Sequence, residues 1–112
     1  MQSDITLLVE PALLILISLA DEPKHGYAIM QDVENLTGWS MRAGTLYGAL
    51  ARMGRRRWIE EIQTDDYRRR PYALTSYGQA ELARQLAVLN NLTRGGSTRI
   101  KRQHTSRRRA QA

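Results

Sequence analysis

Between residues 42 and 57 the chain carries five arginines, Arg42, Arg52, Arg55, Arg56 and Arg57, and no acid. Their spacing decides what chemistry they can do. If Gly44 to about Arg56 is helical, Leu46, Ala49, Leu50 and Met53 share one face, and Tyr47, Gly48, Ala51, Arg52 and Arg55 share the other. That second face mixes small residues with a phenol and guanidinium groups, so the backbone can approach a surface closely while long donors reach past it. Guanidinium forks match the paired acceptors of phosphates and of guanine edges. A helix of this length spans about 20 Å, enough to lie in the major groove of a duplex. Arg42 and Thr45, near the start of the helix, suit a phosphate, because free backbone N–H groups and the helix dipole favour an anion there. Arg68, Arg69 and Arg70 form a second basic cluster. The plain alternatives are a solvated basic face for Tyr47, Arg52 and Arg55, and pairing with Asp65, Asp66 or nearby glutamates for the second cluster.

Elements that can position these groups are visible on either side. A helix is expected from Glu10-Pro11 to before Asp21-Glu22-Pro23, since proline suits a first helical position. Its body is apolar all round, as in a helix covered on more than one face, and Leu13, Leu16 and Ile17 are expected to meet a second subunit. Gly26 to Leu36 follows as an amphipathic helix with Ile29, Val33 and Leu36 in one row and Gly38 as its stop. A four-residue connection, Trp39 to Arg42, then leads into the basic helix, and the pair describes a helix-turn-helix. Residues 58–63 and 69–74 read as short strands around Thr64 to Arg68, with Pro71 confining the second to an edge or a bulge. A last helix opens at Thr75 or Ser76, where Ser76 and Gln79 fit a capping box, and carries Leu82, Leu86 and Leu89 as an apolar stripe for dimerisation. Beyond Asn90-Asn91 no hydrophobic period remains, and a disordered basic tail is expected. The fold class is mainly α with a small β-hairpin: a winged helix-turn-helix over residues 1–80, a C-terminal dimerisation helix over 75–92 and a tail over 93–112.

Composition limits the alternatives. At 112 residues, 42% of them hydrophobic, the chain holds one modest core, of a size often completed by a partner copy. It has no cysteine, which excludes disulfides and thiolate metal sites. The net charge of +6 is unevenly spread: residues 1–41 hold Lys24 against six acids, whereas residues 93–112 hold seven basic groups and no acid. The longest apolar run, Ala12 to Ala20, is too short for a membrane span, and the first residues lack the charge of a signal peptide. A bacterial cytoplasmic, nucleoid-associated location is expected, with no membrane partner. His25 is expected to cap or pack, and no nucleophile, carboxylate pair, phosphate loop or metal set accompanies it. An enzyme is not expected, nor any cofactor.

Several strings occur together in this order: Leu14-Ile15-Leu16 before Lys24-His25-Gly26-Tyr27-Ala28-Ile29; Gly44-Thr45-Leu46-Tyr47-Gly48-Ala49-Leu50; Trp58-Ile59-Glu60-Glu61; Arg68-Arg69-Arg70; and Tyr72-Ala73-Leu74-Thr75. Over about residues 10–80 the chain thereby resembles the PadR family of bacterial transcription regulators. It departs from the family pattern at Gly48, where proline is usual, and at Arg57, where glycine is usual. The resemblance implies a homodimer formed by the first and last helices, repression of genes for detoxification or drug efflux, and in some members release by a small aromatic ligand. A dimer that places two recognition helices in successive major grooves, about 34 Å apart, would bind a pseudo-palindromic operator in double-stranded DNA. Trp39 and Trp58 are more readily core residues than the lining of such a ligand's pocket. The competing expectation is a winged-helix adaptor that binds protein and reads no DNA.

Overall fold

The computed structural model describes residues 5–66 and 69–111, so Tyr67 and Arg68 of the expected hairpin loop lie outside the described residues. After a short 3₁₀ turn at Ile5–Leu7, the elements are α1 (Pro11–Ser18), α2 (Gly26–Thr37), α3 (Ala43–Arg55), β1 (Ile59–Glu61), β2 (Tyr72–Leu74) and α4 (Ser76–Gln111). The fold is thus mostly helical with one small hairpin.

Pro11 occupies the first turn of α1 behind an extended Glu10, where its missing N–H costs nothing. The helix packs on both α2 and α3. This double contact explains its all-round apolarity and corrects one expectation. Leu13 and Leu16 are buried within the subunit, Leu16 completely, which leaves a partner little of Leu13 and nothing of Leu16; Ile17 remains half-buried. In α2 the N-cap is His25, whose Nδ1 accepts from the Ala28 N–H at 3.3 Å. Gly38 ends the helix at φ 77°, donating to the Glu34 carbonyl. Ile29 and Val33 are fully buried, whereas Leu36, in the last turn and expected in the same row, stays exposed.

The end of α3 is closed by two nested backbone bonds. The Arg57 N–H donates to the Gly54 carbonyl and the Trp58 N–H to the Met53 carbonyl, both at 3.0 Å, which is the Schellman arrangement. It forces the intervening residue into the left-handed region, and Arg57 has φ 61°. A side chain there costs on the order of 1 kcal/mol relative to glycine.

The hairpin is antiparallel, with Ile59 opposite Leu74, Glu60 opposite Ala73 and Glu61 opposite Tyr72. Both strands are shorter than the sequence suggests. Pro71 precedes β2 and contributes only its carbonyl, which accepts from Ile62 N–H at 2.8 Å. β2 is not an edge: Lys24 bridges its far side through two backbone bonds with Tyr72, of 3.1 and 2.9 Å. Proline is accommodated because it stands one residue outside the ladder.

At the head of α4 the cap is Thr75 and not Ser76. Its hydroxyl donates to the Arg57 carbonyl and accepts from the Gly78 N–H. Gly78 lies against the backbone of Trp58, so closely that a Cβ would sit 2.0 Å from that carbonyl oxygen. The described residues up to Leu82 make one compact unit, and those from Ala83 on make a second.

The second unit is a single helix, because α4 continues to Gln111. This corrects both the expected stop near residue 92 and the expected disorder of residues 93–112. Asn90-Asn91 and Gly95-Gly96 weaken a helix by at most about 1 kcal/mol each, and no proline interrupts the run. The surrounding arginine, lysine, glutamine and alanine favour helix. Arg99 donates back to the Gly95 carbonyl and Thr105 to the Lys101 carbonyl, while Arg108 and Arg109 sit in the last turn, where the dipole favours cations.

Two substitutions check this corner. Arg57→Gly is expected to raise stability by about 1 kcal/mol, a Tm increase of a few degrees in a thermal melt. Gly78→Ala is expected to lower stability by about 1–3 kcal/mol, because rigid backbone has to move to admit the methyl group.

Candidate nucleic-acid interface

Burial divides α3 as its period requires. Leu46, Ala49, Leu50 and Met53 are buried, and Leu46 and Ala49 have no exposed surface at all. Thr45, Tyr47, Ala51, Arg52 and Arg55 are exposed and Gly48 is half-exposed. The starting residue Arg42 is exposed and gives no side-chain cap, which leaves the first N–H groups of the helix open to an external acceptor. Among the described residues, Arg42, Arg52 and Arg55 form no ion pair. Gly44 and Gly54 have open space where a Cβ would be, and a Cβ on Gly48 would make only ordinary contact with Arg52. The face is therefore low in relief, edged by long cations.

Tyr47 is 52% exposed, and one edge of its ring has a neighbour. It lies over Gly26 at the start of α2, where an added Cβ would fall 2.6 Å from the phenol oxygen. A glycine in the preceding helix thus seats the tyrosine of this one. Sequence reasoning had no route to this pairing, since the two residues lie on different elements.

The hairpin treats its arginines differently. Arg69 is exposed and only loosely associated with Asp66, at 4.0 Å. Arg70 folds back on β1, its side chain 18% exposed, and bonds Glu61 at 3.4 Å; of the two outcomes considered for it, pairing with a strand glutamate is the one adopted. Arg68 lies outside the described residues. Arg56, next to the exposed face of α3, stacks over Trp58 with 5.0 Å between guanidinium carbon and ring centre.

Between α3 and the hairpin opens a cleft of about 260 Å³, lined by Tyr47, Leu50, Ala51 and Gly54 on one side and by Ile59, Glu61 and Tyr72 on the other. Neither Trp39 nor Trp58 lines it. Burial, then the nearby Glu61 carboxylate, push the Tyr72 phenol above the ordinary tyrosine range, so at neutral pH it is an uncharged hydrogen-bonding group. Among the described residues no group of histidines and acids could hold a metal ion, and no helix is long and apolar enough to cross a membrane.

Residues 15–84 match the model of the transcriptional regulator PadR-like family. The chain belongs to this family. Its members are regulators and not enzymes. A protein of 37.1 kDa in a transposon of Streptomyces fradiae is 40% identical over 81 residues, covering 72% of this chain; the chain spans only 23% of that relative's length. The structure of a transcriptional regulator from Clostridium thermocellum has a similar fold, with TM-score 0.72 and 21% identity over 82% of this chain and 91% of that one. The Bacillus subtilis PadR structure, determined in complex with operator DNA, matches with TM-score 0.58 and 26% identity over 67% of this chain and 45% of that one.

The seat of Tyr47 can be tested directly. Gly26→Ala is expected to shift the Tyr47 aromatic resonances in an NMR spectrum while changing stability by less than about 1 kcal/mol, because the flexible end of the ring can swing aside. Unmoved Tyr47 signals would contradict the contact.

Proposed function

We propose that this PadR-like protein is a sequence-specific DNA-binding transcription regulator that acts as a homodimer on a pseudo-palindromic operator and represses the adjacent gene. The observation that carries the reading is the outer face of α3, where Tyr47, Arg52 and Arg55 stand exposed and, among the described residues, no carboxylate claims the two guanidinium groups. α3 enters the major groove. Arg52 and Arg55 reach base edges or phosphates; Tyr47, Gly48 and Ala51 make the close approach; Arg42 and Thr45 hold a phosphate at the helix start. Arg69 at the hairpin, with Arg68 beside it, contacts backbone phosphate, and Arg70 serves mainly to brace the hairpin through Glu61. The operator complex of the Bacillus subtilis relative supports the assignment of DNA as the partner.

Dimerisation falls to the apolar row of α4. Leu82 is largely spent on the subunit's own core, but Leu86 is 43% exposed and Leu89 half-exposed. Two α3 helices presented about 34 Å apart would then meet successive major grooves. Release by a small planar aromatic ligand completes the proposal, and stabilisation of the protein by such compounds in a thermal-shift screen is its measure.

The operator is obtained by selecting bound sequences from random duplex DNA, and an inverted repeat is expected. On that sequence Arg52→Ala/Arg55→Ala is expected to lose at least about 30-fold in affinity while remaining folded and dimeric, at about 1–3 kcal/mol per lost bidentate contact. Undiminished binding by the double variant would take the outer face of α3 out of the DNA contact, and a selection that enriches no sequence would leave the protein an adaptor whose arginines are incidental.

A further inference from the structure

The eight basic residues after Glu81, the last acid of the chain, are not scattered around α4. At 100° per residue, Arg94, Lys101 and Arg108 recur at seven-residue steps, and Arg102 and Arg109 repeat the same step beside them. All five fall within an arc of about 120°. All five are exposed, and among the described residues none of them is ion-paired. Leu86, Leu89, Thr93, Gly96 and Ile100 follow alternating three- and four-residue steps on a different side of the helix, so a partner helix covering that row leaves the basic stripe open.

We infer that this stripe is a second DNA-binding surface, one that holds the phosphate backbone of duplex DNA without reading its sequence. Charge complementarity selects a polyanion, because a face with no acid and no ion pair gains most from releasing the counterions of a dense phosphate array. Composition then selects the kind. A helix lying on a membrane needs a broad apolar face, whereas residues 93–111 contain one large apolar side chain, Ile100. Single-stranded nucleic acid is held largely by aromatic stacking, and no tyrosine, tryptophan or phenylalanine follows Tyr77. Arginine and lysine along about 22 Å of rigid helix suit the rails of a duplex. The inference shares its partner with the proposed operator binding, but uses a separate surface.

The test replaces Arg94, Lys101, Arg102, Arg108 and Arg109 with glutamine in the full chain and measures binding to random-sequence duplex DNA by fluorescence anisotropy across a salt series. The affinity at low salt is expected to fall at least about tenfold, and the slope of log affinity against log salt to flatten by about four per protomer engaged. A second variant changing the four arginines to lysine keeps the charge and is expected to retain the wild-type slope, which separates charge from folding. The preference for operator over random DNA should be unchanged by the glutamine variant, whereas Arg52→Ala/Arg55→Ala should remove that preference and keep the contribution of the stripe. If the first pair of expectations holds and the operator preference does not exist, the proposed operator reading falls and this one stands. Wild-type affinity and slope in the glutamine variant would overturn the inference. So would stripe-dependent binding that is tighter to phosphatidylserine vesicles or to double-stranded RNA than to duplex DNA.

Discussion

Three elements converge on the backbone of Trp58. Its N–H closes α3 by donating to Met53, its carbonyl accepts from the Thr75 N–H at the head of α4, and Gly78 presses against that same carbonyl where no Cβ fits. Side chains can repack, but a backbone junction of this kind fixes where the hairpin leaves α3 and where the first turn of α4 begins. The Thr75 hydroxyl adds a further tie to the Arg57 carbonyl. The angle between α3 and the hairpin, and so the shape of the cleft they frame, depends on this crossing more than on any single core residue.

The two faces of α3 were legible in sequence because helical period alone separates Leu46, Ala49, Leu50 and Met53 from Tyr47, Ala51, Arg52 and Arg55. Punctuation was equally plain: Pro11 opens a helix and Gly38 closes one for reasons local to each residue. What failed depended on neighbours. An apolar row shows that Leu13 and Leu16 are covered but not by what, and the cover is α2 and α3 of the same subunit. Thr75 and Ser76 are equal candidates for a cap until Arg57, eighteen positions away, supplies a carbonyl. The long α4 escapes any reading by hydrophobic period, because residues 93–111 have none, whereas propensity and helix-terminal charge favour a helix there.

The candidate interface was legible to a similar depth. Types and spacing identify the arginines, but not which of them are already committed. Arg70 and Arg69 are adjacent in sequence, yet one turns inward to Glu61 and the other outward. Both stand before β2, outside the ladder, and only the pairing of Glu61 with Tyr72 brings that carboxylate within reach of Arg70. The seat of Tyr47 on Gly26 is of the same kind, a contact between helices that no local pattern announces.

The bridge from Lys24 to Tyr72 has a bearing on how the protein survives at high concentration. Short sheets invite further strands to add along any unpaired backbone, the usual start of ordered clumping. Here β2 is occupied on both flanks, by β1 and by Lys24. β1 is three residues long and carries Glu60 and Glu61, a repulsive and poorly templating rim. The hairpin thus offers an incoming strand little free backbone.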